Sequence, residues 1–433
     1  MKAKVSKYRV LNYEWNRLIR VMRQRECFYE MEPSFQDIEL ARDRAEGVIW
    51  PSPLIHSQEL SRQVGAAVFL KLENLQETGS FKVRGAYNRL VQLDDQERKR
   101  GVVAASAGNH ALGVAWACSI LGINATIVMP EGASIRKLVA VKEYGTEVIL
   151  SGSYFHEAYS HAVTLSEQTE KVMIPAYDDP FVIAGQGTIG LEISRALEKD
   201  TVVVAPVGGG GLIAGVALCL KTIEPTVRII GVQTTSCPST IRSLAEKRPV
   251  EVDIGPTLAD GIAVKRPGDL TFPLMNRYVD DVVAVDDEGI AGALLSLLER
   301  AHVVAEGAGA TPLAAVTENA TQIQAERYIL IVSGGNIETH MMDRILHRGS
   351  IKMGRLIRIA VNLLDAPGSL SKLLGIIAGE RANILHIFHD RLALDNPIQV
   401  SRVELNLETR GPDHAEEVYE SLKKAGYEFK KIL

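Results

Sequence analysis

The sequence predicts an α/β protein made of two parallel-sheet α/β domains, followed by a small separate α+β domain. Three observations carry this. From about residue 67, apolar β-branched runs alternate with amphipathic helical stretches, the pattern of parallel sheets covered on both faces. The alternation pauses over residues 151–200 and then resumes, giving two blocks with a cleft expected between them. From residue 350 the order changes to β-α-β-β-α-β.

The elements follow in order. Residues 1–30 stand apart, with eight basic and three acidic side chains, a local balance of +5. A docking arm and a surface extension both fit that composition. The first block reads as strand Ala67–Leu70, helix Phe81–Leu93, strand Val102–Ala105 and helix Ala111–Leu121. It continues with strand Ala125–Met129, helix Ser134–Tyr144, strand Glu147–Leu150 and helix Tyr154–Glu167. The second block holds strand Val202–Val207, helix Leu212–Leu220 and strand Arg228–Gln233, and closes with strand Tyr328–Val332 and a helix. Beyond it, strands are expected over Arg355–Leu364, Ile384–Arg391 and Gln399–Glu408. Helices are expected over Gly368–Ala378 and His414–Ala425, with a last strand near Tyr427. The domains expected are therefore an extension (1–30), a main region (31–350) with a smaller subdomain at roughly 80–180 inserted in a larger one, and a terminal domain (351–433).

Composition narrows the function classes. Charged residues at 23% and hydrophobic ones at 46% exclude disorder, collagen and coiled coil. A net charge of −5 argues against a nucleic-acid surface. Residues 111–130 and 202–220 each reach the length of a membrane span. The first is broken by Ser119, Gly122 and Asn124, the second by Pro206 and four glycines, so each reads as two buried elements joined by a turn and no membrane association is expected. Cys27, Cys118, Cys219 and Cys237 are widely spaced and read as free thiols of a reducing, cytoplasmic compartment; no signal-peptide core precedes them.

Four segments could carry chemistry. Gly208-Gly209-Gly210-Gly211 lies between a buried strand and a buried helix, where bare amides and the helix dipole suit an anion. Leu212-Ile213 follow where a P-loop needs Lys-Ser/Thr, and Gln233 stands where a dinucleotide site needs an acid, which leaves a phosphate monoester or a plain tight turn. Lys82, in Ser80-Phe81-Lys82-Val83-Arg84-Gly85-Ala86, is a candidate amine nucleophile or simply a capping residue. Ser106-Ala107-Gly108-Asn109-His110 precedes a helix and suits a carboxylate, or a plain N-cap. Ser333-Gly334-Gly335-Asn336 ends the last buried strand, where Ser333 can offer a neutral hydrogen bond to a ring nitrogen or form part of a turn.

Taken together and in order, these segments resemble the fold-type II pyridoxal-phosphate enzymes, and within them the threonine/serine dehydratases. The matching runs are SFKVRGA, SAGNHA, AGQGTIGLEI (184–193), PVGGGGLIAG, TLADGIAV (257–264), AEGAGA (305–310) and SGGN. The part containing Asp365-Ala366-Pro367-Gly368-Ser369-Leu370 and Asn383-Ile384 resembles a ferredoxin-like ACT regulatory domain.

The resemblance implies pyridoxal 5'-phosphate as cofactor, with Lys82 as catalytic residue and Schiff-base lysine and Phe81 packed on the cofactor. Gly208, Gly209, Gly210, Gly211 and the Leu212 amide would hold its phosphate. Asn109 would meet the 3′-oxygen, Gly261 would approach the ring and Ser333 would meet the ring nitrogen. Ser106, Gly108, Asn109 and His110 would take the substrate carboxylate. It further implies deamination of L-threonine to 2-oxobutanoate and ammonia, with L-serine poorer; a serine or 3-hydroxyaspartate dehydratase and a non-catalytic amino-acid sensor are the alternatives. An amino-acid effector would bind at Asp365, Gly368, Asn383 and Ile384 in a homodimer or homotetramer. Related serine racemases carry a second serine where this chain has Ala107, which argues against racemisation. They also place metal-binding carboxylates where it has Gln233-Thr234-Thr235, so no metal site is expected.

Overall fold

The computed structural model describes residues 32–318, 324–392 and 396–432; the expected extension over 1–30 lies outside them. The described chain forms two compact units that part between Ile337 and Glu338. This is earlier than the 350/351 boundary expected from sequence. The helix Thr339–Lys352 runs through a tight turn, Gly354 N–H to Ile351 O (2.9 Å) and Arg355 N–H to Ser350 O (2.8 Å), into the first strand of the second unit.

In the first unit, β1 (Leu54–His56), β2 (Ala67–Leu72), β7 (Thr201–Pro206), β8 (Arg228–Thr234), β9 (Asp281–Val285) and β10 (Arg327–Val332) form a sheet in the order β1-β2-β10-β7-β8-β9. All neighbours are parallel except β1, which runs antiparallel to β2. The ten residues joining β1 to β2 are too few for the crossover that a parallel pair requires. A second sheet, β5-β4-β3-β6, is wholly parallel and comprises β3 (Val102–Ala105), β4 (Ala125–Met129), β5 (Glu147–Leu150) and β6 (Val172–Met173). The two sequence blocks therefore do not map onto the two sheets. β2 belongs to the larger one, paired with β10 from Ala67↔Arg327 to Leu72↔Val332.

The pause over 151–200 contains the helix Pro180–Ser194, which is buried on nearly every side. A helix apolar all round has no stripe to read. Its start is nonetheless well marked, with Pro180 in the first turn and Asp179 accepting the N–H groups of Phe181 and Val182, both at 2.9 Å. It packs against the equally buried helix Gly211–Ile223 within a core of Ile183, Ile189, Val203, Ile213 and Ile331. A separate core, with Val83, Leu90, Trp116 and Ile127, joins the helices Lys82–Leu90 and Asn109–Leu121 to the smaller sheet.

In the second unit, β11 (Leu356–Leu364), β12 (Asn383–Asp390), β13 (Val400–Glu408) and β14 (Phe429–Lys431) form an antiparallel sheet in the order β12-β13-β11-β14. Alternate residues Val403, Leu405 and Leu407 are buried, as the two-residue period of a strand requires when only one face is covered. They pack with Leu373 and Leu422 of the helices Ser369–Gly379 and Pro412–Lys424. No helix among the described residues is long and apolar enough to cross a membrane.

Candidate active site

Four loops leave the carboxyl ends of parallel strands β2, β3, β7 and β10, the end where open α/β sheets bind ligands. Lys82 follows β2 and opens its own helix. Its Nζ donates to the Ala176 carbonyl (2.7 Å) and lies 5.1 Å from the centre of the Phe81 ring. Burial lowers the amine to about 8, with the Glu306 carboxylate opposing the shift. A useful fraction is thus neutral near pH 7.

The glycine loop follows β7. The helix behind it begins at Gly211 with no side-chain cap, and its first bond runs from Ala214 N–H to Gly210 O (2.9 Å). The amides of Gly211, Leu212 and Ile213 are therefore left without helical partners. The Gly209 carbonyl accepts from Thr271 Oγ1 (2.6 Å) and Gly268 N–H (3.2 Å). In a trans peptide the Gly210 N–H then points the opposite way. Gly210 has φ +97°, and a Cβ there would come within 2.7 Å of Met275 Cε and 2.9 Å of Thr271 Cβ. A Cβ on Gly209 would enter the Tyr177 ring. The Leu212 side chain is buried in the core, so only its amide faces the loop.

The loop after β3 is held by Ser106 Oγ, which accepts from Gly108 N–H (3.1 Å). Nothing lies within 4 Å of a Cβ built on Gly108, so packing within the protein does not demand glycine there. The His110 ring is in the core, hydrogen-bonded through Nε2 to Ile174 O at 2.9 Å. Desolvation, reinforced by the Lys82 charge, lowers it to about 3. It is neutral, so Nε2–H donates to Ile174 and only the backbone of His110 remains for a substrate anion.

Asn109 sits at the centre of a polar chain. Its Nδ2 donates to Glu306 Oε1 (2.7 Å), its Oδ1 accepts from Asn336 Nδ2 (2.8 Å), and Asn336 Nδ2 also donates to Thr78 O (2.7 Å). One Nδ2 hydrogen of Asn109 is left for another acceptor. Burial, then the Asp260 charge, raises Glu306 to about 7, against the Asn109 bond. A Cβ on Gly261 would lie 3.6 Å from Glu306 Oε1, and one on Gly208 would lie 3.1 Å from Ile262 Cα. Phe81 N–H donates to Ser333 O (3.1 Å), and Ser333 is buried. These contacts link the loops bearing Phe81, Lys82, Asn109, Gly208–Gly211, Gly261 and Ser333.

The sequence reading assigned no role to Glu306, Tyr177 or Asn336. Glu306 had a readable signal, a lone carboxylate among small residues in AEGAGA. Tyr177 had none, because its contact with the glycine loop is purely spatial. Beneath Lys82, Arg84 pairs with Glu73 (2.8 Å) and Glu192 (2.6 Å), Lys71 also pairs with Glu192, and Ser52 joins Glu73. Burial by itself opposes the Arg84 charge, but the two carboxylates hold its basicity above the ordinary value.

The four effector candidates of the second unit do not come together within one chain. Gly368 (φ +88°) caps the helix Ser369–Gly379, and Asp365 pairs with Arg391 at 3.3 Å, beyond the Leu364↔Val400 end of β11. Asn383 and Ile384 start β12, where Asn383 faces Glu408, itself opposite Leu356 at the other end of β11. Asn383 Nδ2 donates to Glu408 Oε2 (3.2 Å).

Comparison with known proteins decides the family. Residues 45–334 match the pyridoxal-phosphate dependent enzymes. The chain belongs to that family. It is 51% identical to the L-threonine ammonia-lyase of Thermotoga maritima over 395 residues, covering 91% of this chain and 98% of that protein. The processed form of threonine deaminase isoform 2 from Solanum lycopersicum superposes with a TM-score of 0.69 at 39% identity, over 73% of this chain and 87% of that one. Maize serine racemase gives 0.70 at 34% identity, over 74% and 99%. The family's cofactor fits the residues present: a half-buried amine of lowered basicity, an uncapped helix N-terminus behind a glycine loop, and a buried serine hydroxyl at the end of β10.

Proposed function

We propose that this protein converts L-threonine to 2-oxobutanoate and ammonia, with L-serine a poorer substrate, and that Lys82 carries the reaction. The observation behind this is one amine of lowered basicity placed among the glycine loop, Asn109 and the Ser106–His110 turn. Bound pyridoxal phosphate supplies an aldehyde for the amine and a ring that withdraws electrons from the substrate Cα. The Gly208–Gly211 amides and the Leu212 N–H would hold its phosphate, and the free Nδ2 hydrogen of Asn109 would meet its 3′-oxygen. Gly261, without a side chain, allows the ring to approach. Ser333 would give the ring nitrogen a neutral partner.

The Ser106–His110 backbone, at the start of the helix Asn109–Leu121, would orient the substrate carboxylate. Set free when the substrate amine takes its place at the aldehyde, the Lys82 amine would take the Cα proton, and water is lost at Cβ and regained when the product hydrolyses. Ala107 offers no hydroxyl as a second acid or base, which favours elimination over racemisation. A steady-state comparison of threonine, serine and 3-hydroxyaspartate tests the substrate. A kcat/KM for either rival above that for threonine would overturn it.

The second unit is read as an ACT domain that binds a free amino acid, a branched-chain one being the candidate, since 2-oxobutanoate is a precursor of isoleucine. Because Asp365 and Gly368 lie at one end of its sheet and Asn383 and Ile384 at the other, a site using all four needs two copies, in a homodimer or homotetramer. The unpaired buried thiols of Cys118, Cys219 and Cys237 suit a cytoplasmic setting. Titrating full-length protein with a panel of amino acids tests the regulatory reading. No change in activity, thermal stability or assembly would leave the domain an assembly element only.

A further inference from the structure

Four consecutive residues, Ala176 to Asp179, end the segment that joins β6 to the helix Pro180–Ser194. The Ala176 carbonyl takes the Lys82 amine at 2.7 Å. The Tyr177 ring lies against Gly209, and its backbone lies 3.0 Å from a Cβ built on Gly211. Asp179 caps the helix that follows. The Asp178 carboxylate does something less local. It accepts the backbone N–H groups of Asp269 (2.9 Å), Leu270 (2.9 Å) and Thr271 (3.2 Å), capping from a distant segment the helix Thr271–Tyr278, whose own N-cap Leu270 provides no side-chain bond.

The turn fixed in this way is the one that holds the glycine loop. Thr271 Oγ1 and Gly268 N–H both donate to the Gly209 carbonyl, and Thr271 Oγ1 in turn accepts from Gly268 N–H at 3.0 Å. Gly268 fits beneath Asp178 only as glycine, since a Cβ there would meet the carboxylate. We infer that Asp178 is a positioning residue for phosphate binding: through the 268–271 turn it fixes the Gly209–Gly210 peptide so that the Gly210 N–H faces the anion. The inference rests on the cofactor reading given above. Asp178 acts through the turn, whose Asp269, Leu270 and Thr271 N–H groups it accepts. A charge-assisted cap is stronger than a neutral one, which gives a carboxylate a reason to be here.

The test compares pyridoxal phosphate with pyridoxal, which lacks the phosphate, on full-length protein stripped of cofactor. The variants are Asp178→Ala, Asp178→Asn and Thr271→Val. Binding is followed by absorbance and protein fluorescence, and the 31P shift of the bound phosphate is recorded. Asp178→Ala and Thr271→Val should weaken pyridoxal phosphate by about ten- to a hundredfold and move the 31P signal, with pyridoxal affinity unchanged. Asp178→Asn, which keeps one acceptor oxygen, should fall between Asp178→Ala and the parent. Equal losses for both ligands would mean a general structural role and overturn the inference, as would unchanged pyridoxal phosphate affinity in Asp178→Ala. If the parent itself bound the two ligands equally, the phosphate reading of the glycine loop would fail instead.

Discussion

Replacing Glu306 with glutamine should stabilise the first unit at pH 8 and leave it unchanged below pH 4.5. In the folded protein this carboxyl is raised from 4.5 to about 7, chiefly by burial and then by Asp260. The folded state therefore holds a proton that the unfolded chain has released between those values, and stability falls as pH rises through the window. Above pH 7 the full cost applies, ~3 kcal/mol for a shift of this size. Glutamine has no charge to desolvate, and its Oε1 can still accept from Asn109 Nδ2, so the 2.7 Å bond has a successor. The gain should therefore grow from near zero at pH 4.5 to ~3 kcal/mol at pH 8. Urea unfolding of cofactor-stripped full-length protein, read by tryptophan fluorescence, measures it. All three tryptophans precede residue 117, so the signal does not come from the second unit. A stability difference that does not vary with pH, or a loss at pH 8, would refute the assignment of Glu306 as a buried charged group.

Lys82→Ala should lower elimination by about 10²–10⁴-fold or more and abolish the cofactor's protein-bound absorbance band; near-normal turnover would remove Lys82 from the mechanism. In the parent, the rate at which stripped protein captures pyridoxal should rise with pH and level off above about 8, the value to which burial lowers the amine, and not continue towards 10.5. Gly210→Asp forces a side chain onto a φ of +97°, against Met275 and Thr271, and adds a negative charge near the anion site. It should yield folded protein by circular dichroism with little bound cofactor, and full occupancy would show the loop to be a structural turn. Arg84→Leu leaves Glu73 buried without its guanidinium partner and should cost ~3–5 kcal/mol in urea unfolding; a loss under ~1 kcal/mol would mean the network contributes little.

The sequence by itself determined what depends on residue type at a short spacing. Period-two and helical patterns located most strands of both units, because burial on one or both faces leaves a local record. The four glycines pointed to an anion site because bare amides ahead of a helix have few other uses, whereas Lys82 stayed open between nucleophile and cap on its own residues and took its role only from the resemblance carried by SFKVRGA together with the other runs. Tertiary structure decided what depends on partners far apart in the chain. β2 joined β10 and not β3, the next strand along the chain, since parallel pairing is non-local, and the helix Pro180–Ser194 escaped notice because a helix buried on nearly every side carries no stripe. His110, beside a promising serine and asparagine, turned inward to Ile174, while Glu306 was brought to Asn109 across 197 positions and lost its ordinary acidity there. A side chain's desolvation and charge neighbours are properties of the folded surroundings, and no local stretch of sequence contains them.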